Sequence, residues 1–295
     1  VPGRRYREAA ETARDLHAIA PALAGTTVRA EVAFIYDYEC SWAIKIQPGF
    51  SKNNYQDAMR RYQRALFRAG VNVDMVPPGA DLRRYKLVIA PDLVIMPDRL
   101  ARQIDDYIRK GGVFLADLRC GVKDQANLCH ARPLPGLLSS ALGIRIDEYE
   151  SLPVEVGVEG RGAFKGNYSA TEYADWLTTD GAVTLADYTA DHMRRFAACT
   201  RHRFGRGCAY YVGTVIKEES FYDKLAGALL AEAGIKPVCR PPSGVEASVR
   251  EGAGKRLLFL VNHSEKAQSV TLPRKMRDLI SGRMAGAGIK LQPHG

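Results

Sequence analysis

The sequence predicts an α/β fold, a doubly wound and mostly parallel sheet, followed by a small antiparallel all-β domain. Three observations carry that prediction. Short continuous apolar runs at 32–36, 71–76, 87–90 and 113–117 alternate with segments of helical period. Such runs belong to strands buried on both faces, and right-handed crossovers between them produce doubly wound topology. After residue 143 the apolar residues recur every second position, and beyond a proline-rich stretch at 236–245 no helical segment follows.

Taken in order, Tyr6, Ala9, Ala13, Leu16 and Ile19 recur at three- and four-residue spacing and predict a helix over 5–24. The chain starts without a Met and enters this helix almost at once, which reads as the start of a fragment. Thr26 and Thr27 lead into the strand at 32–36. A helix over roughly 52–69 stops at Gly70, a residue suited to a left-handed helix end. "VNVDMV" is a strand closed by "PPG", and "KLVIAP" is another stopped by Pro91. A helix of about 97–110 ends on Gly111 and Gly112, before the strand "VFLAD".

"IRIDEY", "PVEVGV" and "AVTLADY" alternate as half-buried antiparallel strands do, and "AACTRHRFGRGCAYYVGTV" reads as a hairpin turning at 205–207. A helix over about 219–233 ends at Gly234, and "KPVCRPPSGV" is a linker. "VEASVREG", "KRLLFLVNHS" and "QSVTLP" are the strands of the last domain.

The 295 residues are 46% hydrophobic and 25% charged, ordinary values for a globular protein. No apolar run approaches the ~20 residues of a membrane span, and the amino terminus has no secretory h-region. Net charge is +9, yet the basic residues are dispersed. Arg60, Arg64 and Arg68 line one side of a helix whose other side carries Tyr55, Met59, Tyr62 and Leu66, so they form a solvated face. Neither a nucleic acid nor a membrane is expected as partner. The six cysteines include no C-x-x-C pair, which argues against a zinc site and for reduced thiols in the cytoplasm. Cys199 and Cys208 are the one pair that a hairpin could bring face to face.

"FIYDYECSWAI" (34–44) turns from apolar to acidic and aromatic where a parallel sheet would hold its ligand. It contains no glycine, so both nucleotide-binding fingerprints are missing and no cofactor is expected. Cys120 in "LADLRCGVKD", with His130 downstream, is the one candidate nucleophile. A sheet of this kind resembles that of the class I glutamine amidotransferases, whose nucleophile sits in a G-x-C-x-G turn. Leu118 and Val122 occupy the two glycine positions here, so Cys120 is assigned a structural role.

Asp37 with Glu39, or Asp92 with Asp117, could supply the carboxyl pair of a glycosidase, ~5–5.5 or ~6.5–9.5 Å apart. Acids also gather at strand ends simply because loops are solvated. His263 in "VNHS" suits strand-end hydrogen bonds. No catalytic, cofactor-binding or metal-binding residue is assigned. Trp42, Ile44, Ile46 and Phe50 cluster in what reads as a loop over 37–50, and exposed apolar clusters of that kind mark interfaces. The competing expectation folds Trp42 back onto its own domain.

The ordered string "VAFIYDYECSWAI", "NYQDAMRRYQRALFRAGVNVDMV", "DLRRYKLVIAPDL" and "IRKGGVFLADLRCGVKD" resembles the middle, trimerisation domain of the family-42 glycoside hydrolases, the β-galactosidases. "LPGLLSSALGIRIDEYESL" and "TRHRFGRGCAYYVGT" fit its later segments. "GVEASVREGAGKRLLFLVNHSEKAQSVTLP" resembles the family's carboxyl-terminal β domain.

The resemblance implies three parts: residues 1–26 as the last helix of a (β/α)8 barrel, 27–236 as the trimerisation domain, and 237–295 as a small β domain. It implies that both catalytic glutamates, and the cysteine zinc site of some members, lie in the barrel and have no counterpart here. The segment is then the non-catalytic assembly part of a homotrimeric enzyme that hydrolyses terminal β-D-galactosides in carbohydrate metabolism. Its partners are copies of itself and the barrel of the same polypeptide. The alternative is a stand-alone ligand-binding or hydrolytic module using the strand-end acids.

Overall fold

A computed structural model describes residues 2–49 and 53–293. The chain divides into two units, Ala30–Leu66 with Val73–Lys236, and Val1–Arg29 with Phe67–Asn72 and Pro237–Gly295. In chain order, helix α1 (Arg4–Leu23) and the short strand β1 (Thr27–Val28) precede the larger unit. That unit begins with β2 (Val32–Ile35), α2 (Tyr38–Ile46), α3 (Tyr55–Arg68), β3 (Val73–Val76), β4 (Leu87–Ala90), α4 (Asp98–Arg109) and β5 (Val113–Asp117). Every residue of β2, β4 and β5 is buried, as continuous apolar strands require. Helix α4 buries Leu100, Ala101, Ile104, Tyr107 and Ile108, and α3 buries Tyr55, Ala58, Met59, Tyr62, Ala65 and Leu66. Both sets follow the helical period read from the sequence.

After α5 (Ser139–Leu142) come β6 (Ile144–Ser151), β7 (Val156–Gly160), β8 (Gly166–Thr179), β9 (Val183–Tyr188), β10 (Ala197–Phe204), β11 (Gly207–Val212) and β12 (Thr214–Ile216); helix α6 (Glu219–Glu232) follows. All of these strands except β1 belong to one eleven-stranded mixed sheet, ordered β12-β8-β7-β9-β10-β11-β5-β4-β2-β3 with β6 paired to β8. Neighbours from β11 to β3 are parallel. Read by chain order those five strands run second, first, third, fourth, fifth, the flavodoxin-like arrangement. The period-two segments extend the same sheet as its antiparallel half.

The β10–β11 hairpin turns where expected, with Phe204 opposite Gly207. Gly207 must be glycine because a Cβ there would come within 2.1 Å of the Ile108 carbonyl oxygen at the end of α4. Cys199 faces Val212 and Cys208 faces Arg203, so the cysteine pair is out of register and does not meet.

Strand β8 is the hub of the antiparallel half, pairing with β6, β7 and β12 and touching β10. It carries a bulge at Glu172, whose φ is +67°, and the β12 register skips there from Thr171 to Ala174.

The smaller unit is built on β13 (Val245–Gly252) and β14 (Lys255–Asn262), a hairpin with β1 added at its edge. Ala253 and Gly254 make the turn, both at positive φ. Two short ladders follow, β15 (Gln268–Thr271) with β18 (Gly288–Leu291) and β16 (Met276–Arg277) with β17 (Met284–Ala285). The buried Asn262 ties this region together by donating from Nδ2 to the carbonyls of Lys266 and Gln292, both at 2.8 Å. Among the described residues no helix is long and apolar enough to cross a membrane.

Candidate functional site

In an open sheet with this strand order the ligand crevice lies between the first and third strands, here β2 and β4, where the connections leave in opposite directions. The segment after β2 is where the structure departs from the sequence reading. Where a loop over 37–50 is expected, Tyr38–Ile46 is a helix. Asp37 caps it, accepting from the Glu39 N–H at 2.9 Å, and its own N–H donates to the Tyr55 hydroxyl at 2.9 Å. Cys40, Ala43 and Ile44 face inward at helical spacing. Cys40 Sγ donates to Asp37 Oδ2 at 3.1 Å and receives the Ile95 N–H at 3.3 Å, closing the crevice against the segment after β4. Burial pushes the Cys40 thiol well up from its ordinary range.

Behind this plug the strand-end acids meet. The Asp92 N–H donates to Asp117 Oδ1 at 2.5 Å, the Tyr62 hydroxyl donates to Asp117 Oδ2 at 3.0 Å, and Asn53 Nδ2 donates to Asp92 Oδ2 at 3.1 Å. Asp92 is held at φ +48°, a conformation that non-glycine residues rarely adopt. The β8 bulge adds Glu172, 3.8 Å from Arg61, and the fully buried Asp175. Asp175 Oδ2 accepts from the Arg119 N–H at 2.7 Å and from the Tyr211 hydroxyl at 2.6 Å.

Burial raises the pKa of all four carboxyls, with the Asp92 charge adding to the rise at Asp117; Asp175 moves to about 7. Among the described residues Asn53 Oδ1, Asp92 Oδ1, Glu172 Oε2, Asp175 Oδ1, Arg61 Nη2 and Arg119 Nε and Nη1 are buried without a hydrogen-bond partner. The Arg119 guanidinium instead lies over the Tyr173 ring, 4.9 Å from its centroid.

The outer face of α2 carries an apolar stripe beside the exposed Glu39 and Lys45. Tyr38, Trp42 and Ile46 project at successive helical turns, with Trp42 61% and Ile46 72% exposed. The Tyr38 and Trp42 rings lie 6.3 Å apart. A cleft of about 480 Å³ beside them is lined by Tyr36, Met75, Pro77 and Pro97. Of the predicted cluster, Trp42 and Ile46 are therefore on the surface, Ile44 belongs to the core at 1% exposure, and Phe50 lies outside the described residues. Trp42 does not fold back onto its own domain.

The remaining candidates resolve as follows. Asp37 and Glu39 are not a pair, since Asp37 is buried as a cap and Glu39 points to solvent. Cys120 is fully buried, its N–H donates to the Tyr211 hydroxyl, and burial pushes its thiol up, the opposite of nucleophile activation. The strained residue of its turn is Arg119, at φ +59°, and not the cysteine. His130 Nε2 lies 3.3 Å from the Met96 carbonyl, and His263 Nε2 lies 3.0 Å from Glu246. Arg60 and Arg64 are solvated and paired with Asp57 and Glu219. Among the described residues no three His, Cys, Asp or Glu side chains are grouped to hold a metal ion.

Sequence reasoning missed α2, although Asp37 as cap and the 40, 43, 44 spacing were readable signals. It also missed Asp175 and Glu172, which no local signal marks.

Residues 30–236 match the family described as the β-galactosidase trimerisation domain, and residues 244–295 match the β-galactosidase C-terminal domain. The β-galactosidase BgaP of Planococcus sp. strain L4 is 30% identical over 99% of this chain, which covers 44% of that protein. BgaH of Haloferax lucentense is 33% identical over 92% of this chain, covering 39% of its own length. The chain thus spans less than half the length of these relatives.

The crystal structure of a β-galactosidase from Bacillus circulans sp. alkalophilus superposes with a TM-score of 0.93 at 28% identity, over 99% of this chain and 44% of that one. The enzyme from Rahnella sp. R3 gives 0.90 at 31% identity, over 98% and 43%. The chain belongs to the β-galactosidase trimerisation-domain family, with the family's C-terminal domain attached.

Proposed function

We propose that this chain is the assembly part of a homotrimeric β-galactosidase, and that hydrolysis of terminal β-galactosides is carried by a barrel outside the sequence given. The match of residues 30–236 to the trimerisation domain carries this reading. Two features support it. The strand-end acids that a hydrolytic module would use are occupied by internal hydrogen bonds, and Cys40 with Ile95 closes the crevice above them.

The outer face of α2 supplies the kind of apolar surface that association needs. On this reading residues 27–236 form the assembly domain and 237–295 the terminal β domain. Residues 1–26 are the last helix of the barrel. The exposure of Tyr6 and Leu16 on α1 fits a helix that packs on something beyond this chain.

Sedimentation of the purified chain, with a chromogenic β-galactoside assay on the same sample, tests the proposal. A trimer without turnover is the expected result, because the acid/base and the nucleophile each supply orders of magnitude in rate. A monomer at all concentrations would sink the assembly reading. Turnover abolished by Asp92→Asn or Asp117→Asn would establish the stand-alone hydrolase instead.

A further inference from the structure

We propose that the acid cluster behind α2 is a built-in proton store: in the folded chain at neutral pH at least one of Asp92, Asp117 and Asp175 is protonated, the proton being taken up on folding and released on unfolding. The first ground is charge balance in a closed space. Asp92, Asp117 and Asp175 are each at most 1% exposed, and the half-buried Glu172 adds a fourth carboxyl. Two guanidiniums face them, Arg61 from α3 and Arg119 from the turn after β5. Arg61 sits 3.8 Å from Glu172, and Arg119 uses its backbone N–H, not its guanidinium, to reach Asp175.

The other groups around the cluster add hydrogen bonds, from Tyr62 to Asp117 and from Tyr211 to Asp175, but no positive charge. From α2 come Asp37 and Cys40, from α3 Tyr55 and Tyr62, from α6 Tyr222, from β11 Tyr211, and from the turn after β5 Cys120. None of these is a cationic side chain. The next cation, Lys123, donates to Gln47 and Asn127 instead. Ionising every acid would leave uncompensated negative charge in a low-dielectric interior, and such groups neutralise.

The second ground is hydrogen bonding. Among the described residues Asp92 Oδ1 and Asp175 Oδ1 are buried and receive no hydrogen bond, whereas the donors that do reach the cluster, such as the Asp92 N–H on Asp117 Oδ1 at 2.5 Å, serve the other oxygens. A proton turns one such acceptor into a donor, which ionised carboxyls cannot be. The rise of the Asp175 pKa to about 7, with burial as its main cause, points the same way.

The linkage has a definite sign. A carboxyl whose pKa is higher in the folded chain than its unfolded value near 3.9 stabilises fully at low pH and loses that contribution as pH rises through the folded value. For Asp175 the window runs from about pH 4 to about 7. Within it, each linked proton raises the unfolding equilibrium constant about tenfold per pH unit.

The test combines infrared spectroscopy of the folded chain with urea unfolding between pH 5 and 8, on wild type, Asp175→Asn and Asp117→Asn. Histidines and surface acids are common to all three and cancel in the differences. The expected result has two parts: a protonated-carboxyl carbonyl band in folded wild type at pH 7 that disappears on unfolding, and a pH slope of the unfolding constant shallower in an Asn variant by up to about tenfold per unit. If neither variant folds, the wild-type spectrum decides alone. A folded wild type without that band at pH 7 overturns the proposal, whatever its oligomeric state.

Discussion

The two sides of helix α2 invert the usual distribution of polarity. Inward, beyond Cys40 and Ile44, lie Asp92, Asp117 and Asp175, each at most 1% exposed. Outward, Tyr38, Trp42 and Ile46 stand in solvent. Folded proteins ordinarily keep charge outside and large apolar groups inside, and the informative departures are a buried polar group and an exposed apolar patch. Nine residues of helix separate one departure from the other. On the two proposals made above, the inner region is balanced by protons and the outer one by a partner.

The largest effect should come from the seam between the two regions. Ile44→Ala removes a side chain that is 1% exposed, and deletions of that size in a core cost about 2–5 kcal/mol of fold stability. Urea unfolding measures it, and a loss under about 0.5 kcal/mol would mean that α2 is peripheral.

Trp42→Ala should weaken assembly by ~2 kcal/mol or more while leaving stability within about 0.5 kcal/mol. Sedimentation and far-UV circular dichroism on one sample separate the two. An unchanged trimer with a destabilised fold would return Trp42 to the core and end the proposed role of the outer face.

Tyr62→Phe probes the inner side by deleting the hydroxyl that meets Asp117 Oδ2 at 3.0 Å. Leaving a buried carboxyl oxygen without its donor should cost about 1–3 kcal/mol. Because an ionised Asp117 suffers most, the deficit should grow as pH rises; a deficit that shrinks with pH would contradict a cluster stabilised by protons.

The smallest effect is chemical. All six cysteines are free, and Cys129 alone is exposed, so it should react first with a thiol reagent. Cys40, Cys120, Cys199 and Cys208 should become titratable only on unfolding, since burial raises each of their pKa values. Early labelling of Cys40 would show that the plug over the crevice opens readily.

Much of this molecule was legible from residue patterns, because burial on both faces leaves a uniform apolar run and burial on one face leaves a period. Strands β2, β4 and β5, helices α3 and α4, and the β10–β11 hairpin all follow from such patterns. Asp92 and Asp117 could be placed at neighbouring strand ends for the same reason. Helix α2 was misread as a loop because three of its outward residues, Tyr38, Trp42 and Ile46, are aromatic or apolar, which weakens its amphipathic contrast. Strand β8 was overlooked because the Glu172 bulge breaks its alternation: Tyr168 and Ala170 are buried, and then Tyr173, Ala174 and Asp175 in succession.

The order and type of most elements, the lack of a phosphate-binding turn, and the family whose motifs recur in this order can all be read along the chain. These depend on interactions between residues close along the chain and on the spacing of apolar groups. Only the tertiary structure decided which acids meet, that Ile44 is core while Trp42 is surface, and that Asp175 joins a cluster 58 residues away from Asp117 in the chain. Those outcomes depend on strand order and on one bulge, and a long-range pairing leaves no mark on the local pattern of either partner.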